Sequence, residues 1–249
     1  MLDIALDFLL GVVLGSLGGL FGIGGGLLAI PALGVLFGLD QQLSQGTALV
    51  MVVPNVVLAL WRYHQRNRID PAQAGILALT GLVCAYFASS LAVSLDAQRM
   101  RLAFVVFLVL LALYLLVRLF QRVPQGSATP RYGWPWMGVL GLGAGSLGGL
   151  FGVGGGVLAT PVLTSVFGLT QVIAQGLGLA LAAPSTAVAL ATYASHGNVD
   201  WRMGIPLAAG GLLSISWGVR LAHALPERQL RMAFSVFLIV CAVLLVLRG

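Results

Sequence analysis

The chain has 249 residues, of which 59% are hydrophobic and only 8% charged, and its formal net charge is +6. Soluble domains carry about 25% charged residues, so this composition, with a mean hydropathy of +1.02, excludes a cytosolic or nucleic-acid-binding protein. The long uncharged runs instead predict a multi-pass membrane protein, because about 20 apolar residues in a helix span a hydrocarbon core of about 30 Å.

The remaining composition excludes several kinds of chemistry. All 13 basic residues are arginines, and they lie between the apolar runs or at their ends, as interfacial topology signals do. The lack of lysine excludes a Schiff-base lysine and a Walker A phosphate loop. Cys84, Cys241 and the three histidines share no metal-ligand spacing. We therefore expect no metal site and no cofactor.

A glycine-rich stretch occurs twice in the chain. Residues 16–31 read SLGGLFGIGGGLLAIP, and residues 146–161 read SLGGLFGVGGGVLATP. The two stretches are 130 residues apart, a separation here called the repeat offset. The same offset, without a gap, separates further identical residues: Gln45 and Gln175, Pro54 and Pro184, Tyr63 and Tyr193, and Asp70 and Asp200. The chain is therefore predicted to contain two tandem homologous repeats of a transmembrane bundle. The first repeat is residues 1–121, the connecting loop residues 122–131, and the second repeat residues 132–249.

Each half contains five apolar segments, which we expect to be helical because open strands would leave backbone groups unpaired in lipid. In the first half they cover residues 4–22, 26–38, 43–61, 71–95 and 102–117, approximately, and their counterparts follow at the repeat offset. The second segment is too short to span the membrane comfortably unless it is tilted or re-entrant. The predicted fold is an all-α polytopic bundle of about 8 to 10 membrane segments, including broken or re-entrant helices.

The direction of the second half depends on whether the short second segment crosses the membrane. Five crossings per half would invert the second half and place nine arginines on the cytoplasmic side against four on the other. A re-entrant segment that does not cross would give eight against five. The positive-inside bias therefore favours two repeats of inverted topology.

The run from Gly22 to Gly26, here called the first glycine break, has four glycines in five residues. Each glycine costs about 0.8 to 1 kcal/mol relative to alanine inside a helix, so the helix should break there. The second glycine break, residues 152–156, repeats the pattern. We expect hinges or breaks at the glycine that opens each run and at nearby or mid-segment prolines: Gly22, Pro31, Pro54, Gly152, Pro161 and Pro184.

A helix that restarts inside the membrane presents free N–H groups and positive partial charge to an anion. Broken helices at matching positions of two repeats are typical of a transporter's central site. The backbone residues predicted to bind substrate are Gly24, Gly25, Gly26, Gly154, Gly155 and Gly156. Close helix packing is the alternative role for glycines, and it suits the Gly11-x-x-x-Gly15 and Gly141-x-x-x-Gly145 spacings well.

Polar side chains in the third and eighth segments complete the predicted substrate site. They occur at the start of each segment and beside its central proline: Gln45, Thr47, Asn55, Gln175, Ser185 and Thr186. Two roles stay open for them, since they could contact substrate or could satisfy backbone groups and neighbouring helices. The acidic residues, including Asp3 and Asp7, lie near segment ends, where an interfacial position is expected.

The paired Gly-x-Gly-Gly-Gly-x-x-x-x-Pro stretches, residues 22–31 and 152–161, resemble those of the sulfite exporter TauE/SafE family. The resemblance to this family covers essentially the whole chain. That family consists of bacterial-type inner-membrane permeases for sulfite, sulfoacetate and other small organosulfur or organic anions. The resemblance implies a multi-pass inner-membrane transporter that binds a small anion. The family's Gly-Thr pattern is matched by Gly46-Thr47 and departs to Gly176-Leu177.

The leading hypothesis is a secondary transporter that works by alternating access, with its site at the glycine-broken helices between the two repeats. The alternatives are an anion channel, a structural membrane subunit, and an intramembrane enzyme, which would need a nucleophile with its base. We expect no enzymatic activity, because Ser185 has no histidine in its own segment. The expected partners are the small anion and the lipid bilayer, with no nucleic acid, and a homo-oligomer is left open.

Overall fold

The computed structural model describes residues 2–21, 24–66, 70–119, 127, 129–224, 236, 239, 240, 242, 243 and 245. The elements within these residues are the helices α1 (Leu2–Phe21), α2 (Gly26–Phe37), α3 (Gln41–Arg66), α4 (Pro71–Ser94), α5 (Ala97–Leu119), α6 (Trp134–Phe151), α7 (Gly156–Ser165), α8 (Gln171–Ser195) and α9 (Trp201–Ala224). Their only β pairing is an isolated bridge between Ser127 and Leu169. The predicted all-α class is confirmed for this part of the chain.

Four of the described helical segments are long and apolar enough to cross a membrane: Gln41–Gln65, Pro71–Ser94, Ala97–Tyr114 and Gln171–Ser195. The helices after the glycine breaks are much shorter, with 12 residues in α2 and 10 in α7. At about 1.5 Å per residue, α2 is about 18 Å long, roughly half of a bilayer crossing. The structure is that of a polytopic helical membrane protein with short helices beside long ones.

The helices of the second half begin at the spacing seen in the sequence. The repeat offset separates the first residues of three helix pairs: Gly26 and Gly156, Gln41 and Gln171, and Pro71 and Trp201. Helices α2, α3, α7 and α8 contain their prolines as interior residues: Pro31, Pro54, Pro161 and Pro184. The chain is therefore helical on both sides of each of these prolines, and the interruptions that precede α2 and α7 lie at the glycines.

The most extensive helix packing joins the two halves, α1 with α9 and α4 with α6. Glycines make this possible because the backbones nearly touch. A methyl group added at Gly15 would lie 2.5 Å from the Cα of Gly211, and one added at Gly145 would lie 2.4 Å from the carbonyl oxygen of Gly81. These glycines pack helices together, as their small-xxx-small spacing indicates. The two halves interlock, and the largest buried cluster among the described residues contains residues of both.

Helices α3 and α8 cross at the centre of the bundle in opposite directions. Gln45, near the start of α3, contacts Tyr193, near the end of α8. Tyr63, near the end of α3, contacts Gln175, near the start of α8. Two helices that are equivalent by the repeat offset therefore run antiparallel.

Candidate functional site

The first glycine break turns the chain from α1 into α2 through left-handed backbone. Gly24 has a φ of 71° and Gly25 a φ of 92°, which side-chain-bearing residues rarely adopt. Helix α2 then begins at Gly26, whose N–H and that of Leu27 belong to the first turn and have no acceptor within the helix. Both residues are buried. Gly22, the predicted start of the break, lies outside the described residues.

The second glycine break has a related but different backbone. Gly152 ends α6 with a φ of 67°, and Gly154 also has a φ of 67°. Gly155, which precedes α7, has a right-handed φ of −57° where its counterpart Gly25 is left-handed. The two breaks therefore place their backbone N–H groups differently, although their sequences are nearly the same.

The two glycine breaks meet inside the bundle. A methyl group added at Gly26 would lie 3.4 Å from the carbonyl oxygen of Gly152 and 3.6 Å from the Cα of Val153. Gly26 opens α2 and Gly152 closes α6, so the start of one half-length helix abuts the interruption in the other half of the chain. This contact brings together two regions that lie in different halves of the sequence.

The middles of α3 and α8 pack against the breaks. A methyl group at Gly24 would lie 2.8 Å from Val56, and one at Gly25 would lie 2.8 Å from Met51. The equivalent positions of the second half make equivalent contacts: Gly154 is 2.8 Å from Thr186 and Gly155 is 2.4 Å from Leu181, measured from the added methyl. Both sets of contacts lie close to the central proline of their helix.

Gln45 borders the second glycine break and is fully buried, with 0% exposure. Its Cβ lies 3.4 Å from a methyl group placed at Gly152. The hydroxyl of Tyr193 donates to its Oε1 at 2.7 Å, whereas Nε2 is buried and has no hydrogen-bond partner among the described residues. An unpartnered amide atom in an apolar interior is costly, so such a group is a candidate ligand contact.

Asn55 ties the middle of α3 to the first glycine break. Its Nδ2 donates to the carbonyl oxygen of Gly24 at 3.4 Å, and its Oδ1 is buried without a partner in the described structure. A methyl group added at Gly211 of α9 would lie 2.9 Å from the same Nδ2. Asn55 therefore touches the break, and one of its polar atoms is available.

The other four predicted side chains have partners of their own. Thr47 accepts a hydrogen bond from the backbone N–H of Asp200 at 3.0 Å, which joins α3 to the start of α9. Ser185 and Thr186 donate to carbonyl oxygens one turn earlier in α8, at 2.7 and 2.8 Å. Gln175 accepts from the hydroxyl of Tyr63 at 2.8 Å. These contacts fit the second of the two roles left open for them, that of linking helices and backbone.

Two tyrosines of this region and one buried carboxylate of α1 are not among the predicted site residues. Tyr63 and Tyr193 bind the two glutamines, and the sequence signal for them is that the repeat offset relates one to the other. Asp7 is 5% exposed, within α1, although its place near the chain start predicts an interfacial group. Helix α1 packs most extensively on α9, and packing against a helix so distant in sequence is not visible in the local pattern of α1.

Comparison with known proteins shows similarity to membrane transporters along nearly the whole chain. The family model described as sulfite exporter TauE/SafE matches residues 7–245. A probable membrane transporter protein of Xylella fastidiosa (strain 9a5c) is 28% identical, over 97% of this chain and 92% of that protein. One of Methanocaldococcus jannaschii is 26% identical, over 96% and 93%. One of Bacillus subtilis (strain 168) is 22% identical, over 96% of each.

Proposed function

This chain belongs to the sulfite exporter TauE/SafE family of membrane transporters, and we propose that it is a secondary transporter for a small anion, sulfite or an organosulfonate such as sulfoacetate. The names of the family and of the relatives indicate a membrane transporter and not an enzyme. In this proposal the protein resides in a bacterial-type inner membrane and works by alternating access.

The observation that carries the proposal is the meeting of the two glycine breaks at Gly26 and Gly152. The first-turn N–H groups of α2 point positive partial charge toward this region, which favours an anion. Gln45, whose Nε2 is buried without a hydrogen-bond partner among the described residues, borders the same contact through its Cβ and backbone oxygen. The proposed site comprises the backbone at Gly24–Gly26 and Gly154–Gly156, with the free Nε2 donor of Gln45 and with Asn55, whose Nδ2 would turn from the Gly24 carbonyl oxygen to the anion.

The proposed topology is two inverted repeats. The antiparallel crossing of α3 and α8 supports it, because equivalent helices of inverted repeats run in opposite directions across the membrane. The packing of α1 on α9 and of α4 on α6 supports the proposal that each of these helix pairs moves as one rigid body during transport. Each body contains helices from both halves, because the glycine contacts hold these pairs too closely for a whole repeat to move alone.

Flux measurements in proteoliposomes test the proposal. Sulfite, sulfoacetate and thiosulfate are compared with a carboxylate, with and without a pH gradient, by radiotracer uptake or on a solid-supported membrane. We expect saturable uptake of sulfur anions that exchanges with internal anion. Unitary conductance would favour the alternative, an anion channel, and the absence of sulfur-anion flux with folded, inserted protein would contradict the proposed substrate class.

A variant pair links the flux to the site. Gln45→Met removes both polar amide atoms at nearly constant volume, and the Tyr193 hydroxyl keeps an acceptor because the Leu150 carbonyl oxygen lies 3.0 Å away. We expect this variant to fold and to lose anion flux. Gln98→Met is the matched control, because Gln98 is exposed at the start of α5. Equal flux in the two variants would show that Gln45 is not part of the site.

A further inference from the structure

Each end of the α3–α8 crossing is joined by one tyrosine and one glutamine. The Tyr193–Gln45 pair has an oxygen–oxygen distance of 2.7 Å, and the Tyr63–Gln175 pair one of 2.8 Å. Gln45 and Tyr63 lie five turns apart in α3, which corresponds to about 27 Å along the helix axis. The first glycine break contacts α3 between these two residues, at Met51 and Val56, and the second contacts Gln45 itself at Gly152. The Tyr193–Gln45 pair therefore lies at one edge of the proposed site, to which Gln45 belongs, and the Tyr63–Gln175 pair lies beyond its other edge.

The two pairs differ in solvent exposure, although the repeat offset makes them equivalent. Tyr193 and Gln45 are both 0% exposed, and the Tyr193 hydroxyl also lies 3.0 Å from the carbonyl oxygen of Leu150 in α6. Tyr63 and Gln175 are both partly exposed. Tyr63 makes its one described hydrogen bond to Gln175.

The environment reinforces this difference. Next to Leu150 in the chain, the ring of Phe151 stacks on that of Phe107 with centroids 4.7 Å apart and lies 5.6 Å from that of Phe104. All three rings are part of the buried cluster that contains Tyr193. Tyr63 is a partly buried residue at the border of a smaller buried cluster, as are Ala59 and Leu60.

We propose that the Tyr193–Gln45 and Tyr63–Gln175 pairs are the two gates of the transport pathway, with the first closed and the second partly open in this conformation. This inference rests on the proposed function. In two repeats of inverted topology, the opposite state is obtained by exchanging the conformations of equivalent residues. The exposure of the two pairs would then interchange, and each tyrosine would act as a positioning residue that holds its glutamine across the pathway.

The experiment measures access to the middle of the pathway from each side of the membrane, without any transported anion. The background carries Cys84→Ala and Cys241→Ala, and Ala182→Cys is the reporter, because Ala182 is buried against Gly154 and the change is small. A membrane-impermeant thiol reagent is applied to right-side-out and to inside-out vesicles. Labelling rates are compared for Tyr193→Phe, Tyr63→Phe and the control Tyr86→Phe, whose ring is exposed in α4.

We expect the reporter to react from one side in the background protein, the side of the Tyr63–Gln175 pair. Tyr193→Phe should raise labelling from the other side about tenfold, which is the effect of losing one hydrogen bond. Tyr63→Phe should raise labelling only from its own side, and Tyr86→Phe should change neither rate. A structural role for Tyr193 would instead raise labelling from both sides together.

Equal labelling of all three variants from both sides would overturn the gate assignment. A matched reporter pair, Leu49→Cys and Leu179→Cys, covers the case in which the Ala182 variant does not fold, since each residue lies one turn inside its glutamine. Leu179→Cys should react faster than Leu49→Cys, and the reverse order would refute the proposal. Because no anion is present, this result is independent of whether sulfur anions are the substrate.

Discussion

A single methyl group at Gly26 tests whether the contact between the two glycine breaks is the anion site. In Gly26→Ala the new carbon would lie 2.8 Å from a methyl of Val52, 3.4 Å from the Gly152 carbonyl oxygen and 3.6 Å from the Cα of Val153. Carbon atoms normally pack about 3.5 to 4.0 Å apart, so the Val52 side chain must move by up to about 1 Å.

The energetic cost of this change is moderate. Overpacking of a buried site costs about 1 to 3 kcal/mol, which is less than the typical unfolding free energy of about 5 to 15 kcal/mol. Gly26 is absent from the glycines with positive φ, so alanine adds no left-handed strain. The protein should therefore fold, with a methyl group placed between the first turn of α2 and the second glycine break.

The assay is anion flux in proteoliposomes, with folding monitored by thermal unfolding in detergent. We expect Gly26→Ala to reduce flux by about tenfold or more, the equivalent of one lost hydrogen bond to the anion. Gly143→Ala is the control, because a methyl group there meets nothing within 4 Å. Flux through Gly26→Ala equal to that of the control would refute the placement of the anion between the breaks.

Three further predictions address packing, anchoring and coupling. Gly145→Ala should lower the unfolding temperature, because its methyl group would collide with the backbone of α4 at 2.4 Å, whereas Gly143→Ala should keep or raise it; equal temperatures would contradict the close packing. Thr47→Val should lower the unfolding free energy by about 1 to 3 kcal/mol, because the Asp200 N–H loses its acceptor. Thr47→Ser should restore stability. A change in anion affinity at unchanged stability would instead place Thr47 in the site. Asp7→Asn should remove the response of flux to a pH gradient, since a buried carboxylate in a transporter is the kind of group that carries a proton; an unchanged response would exclude Asp7 as the carrier.

The helices and their interruptions are local properties, which is why the sequence alone determines them. Apolar runs in lipid must be helical to satisfy their backbone groups, and four glycines in five residues cannot continue a helix without large cost. The predicted segment at residues 26–38 is the helix Gly26–Phe37, and the segment at residues 71–95 is the helix Pro71–Ser94. The segment predicted at residues 43–61 is too short by a few residues at each end, since α3 covers Gln41–Arg66 and includes polar residues at both ends.

Which residues meet was decided only by the tertiary structure. The repeat offset identifies Gln45 with Gln175 and Tyr63 with Tyr193, but the antiparallel crossing of α3 and α8 pairs each tyrosine with the glutamine of the other half. A polar side chain in an apolar segment can bond to its own helix or reach another one, and local sequence does not distinguish the two. Packing between helices from opposite halves makes that choice, leaving Thr47 bonded to the start of α9 and Gln45 beside the meeting point of the two breaks.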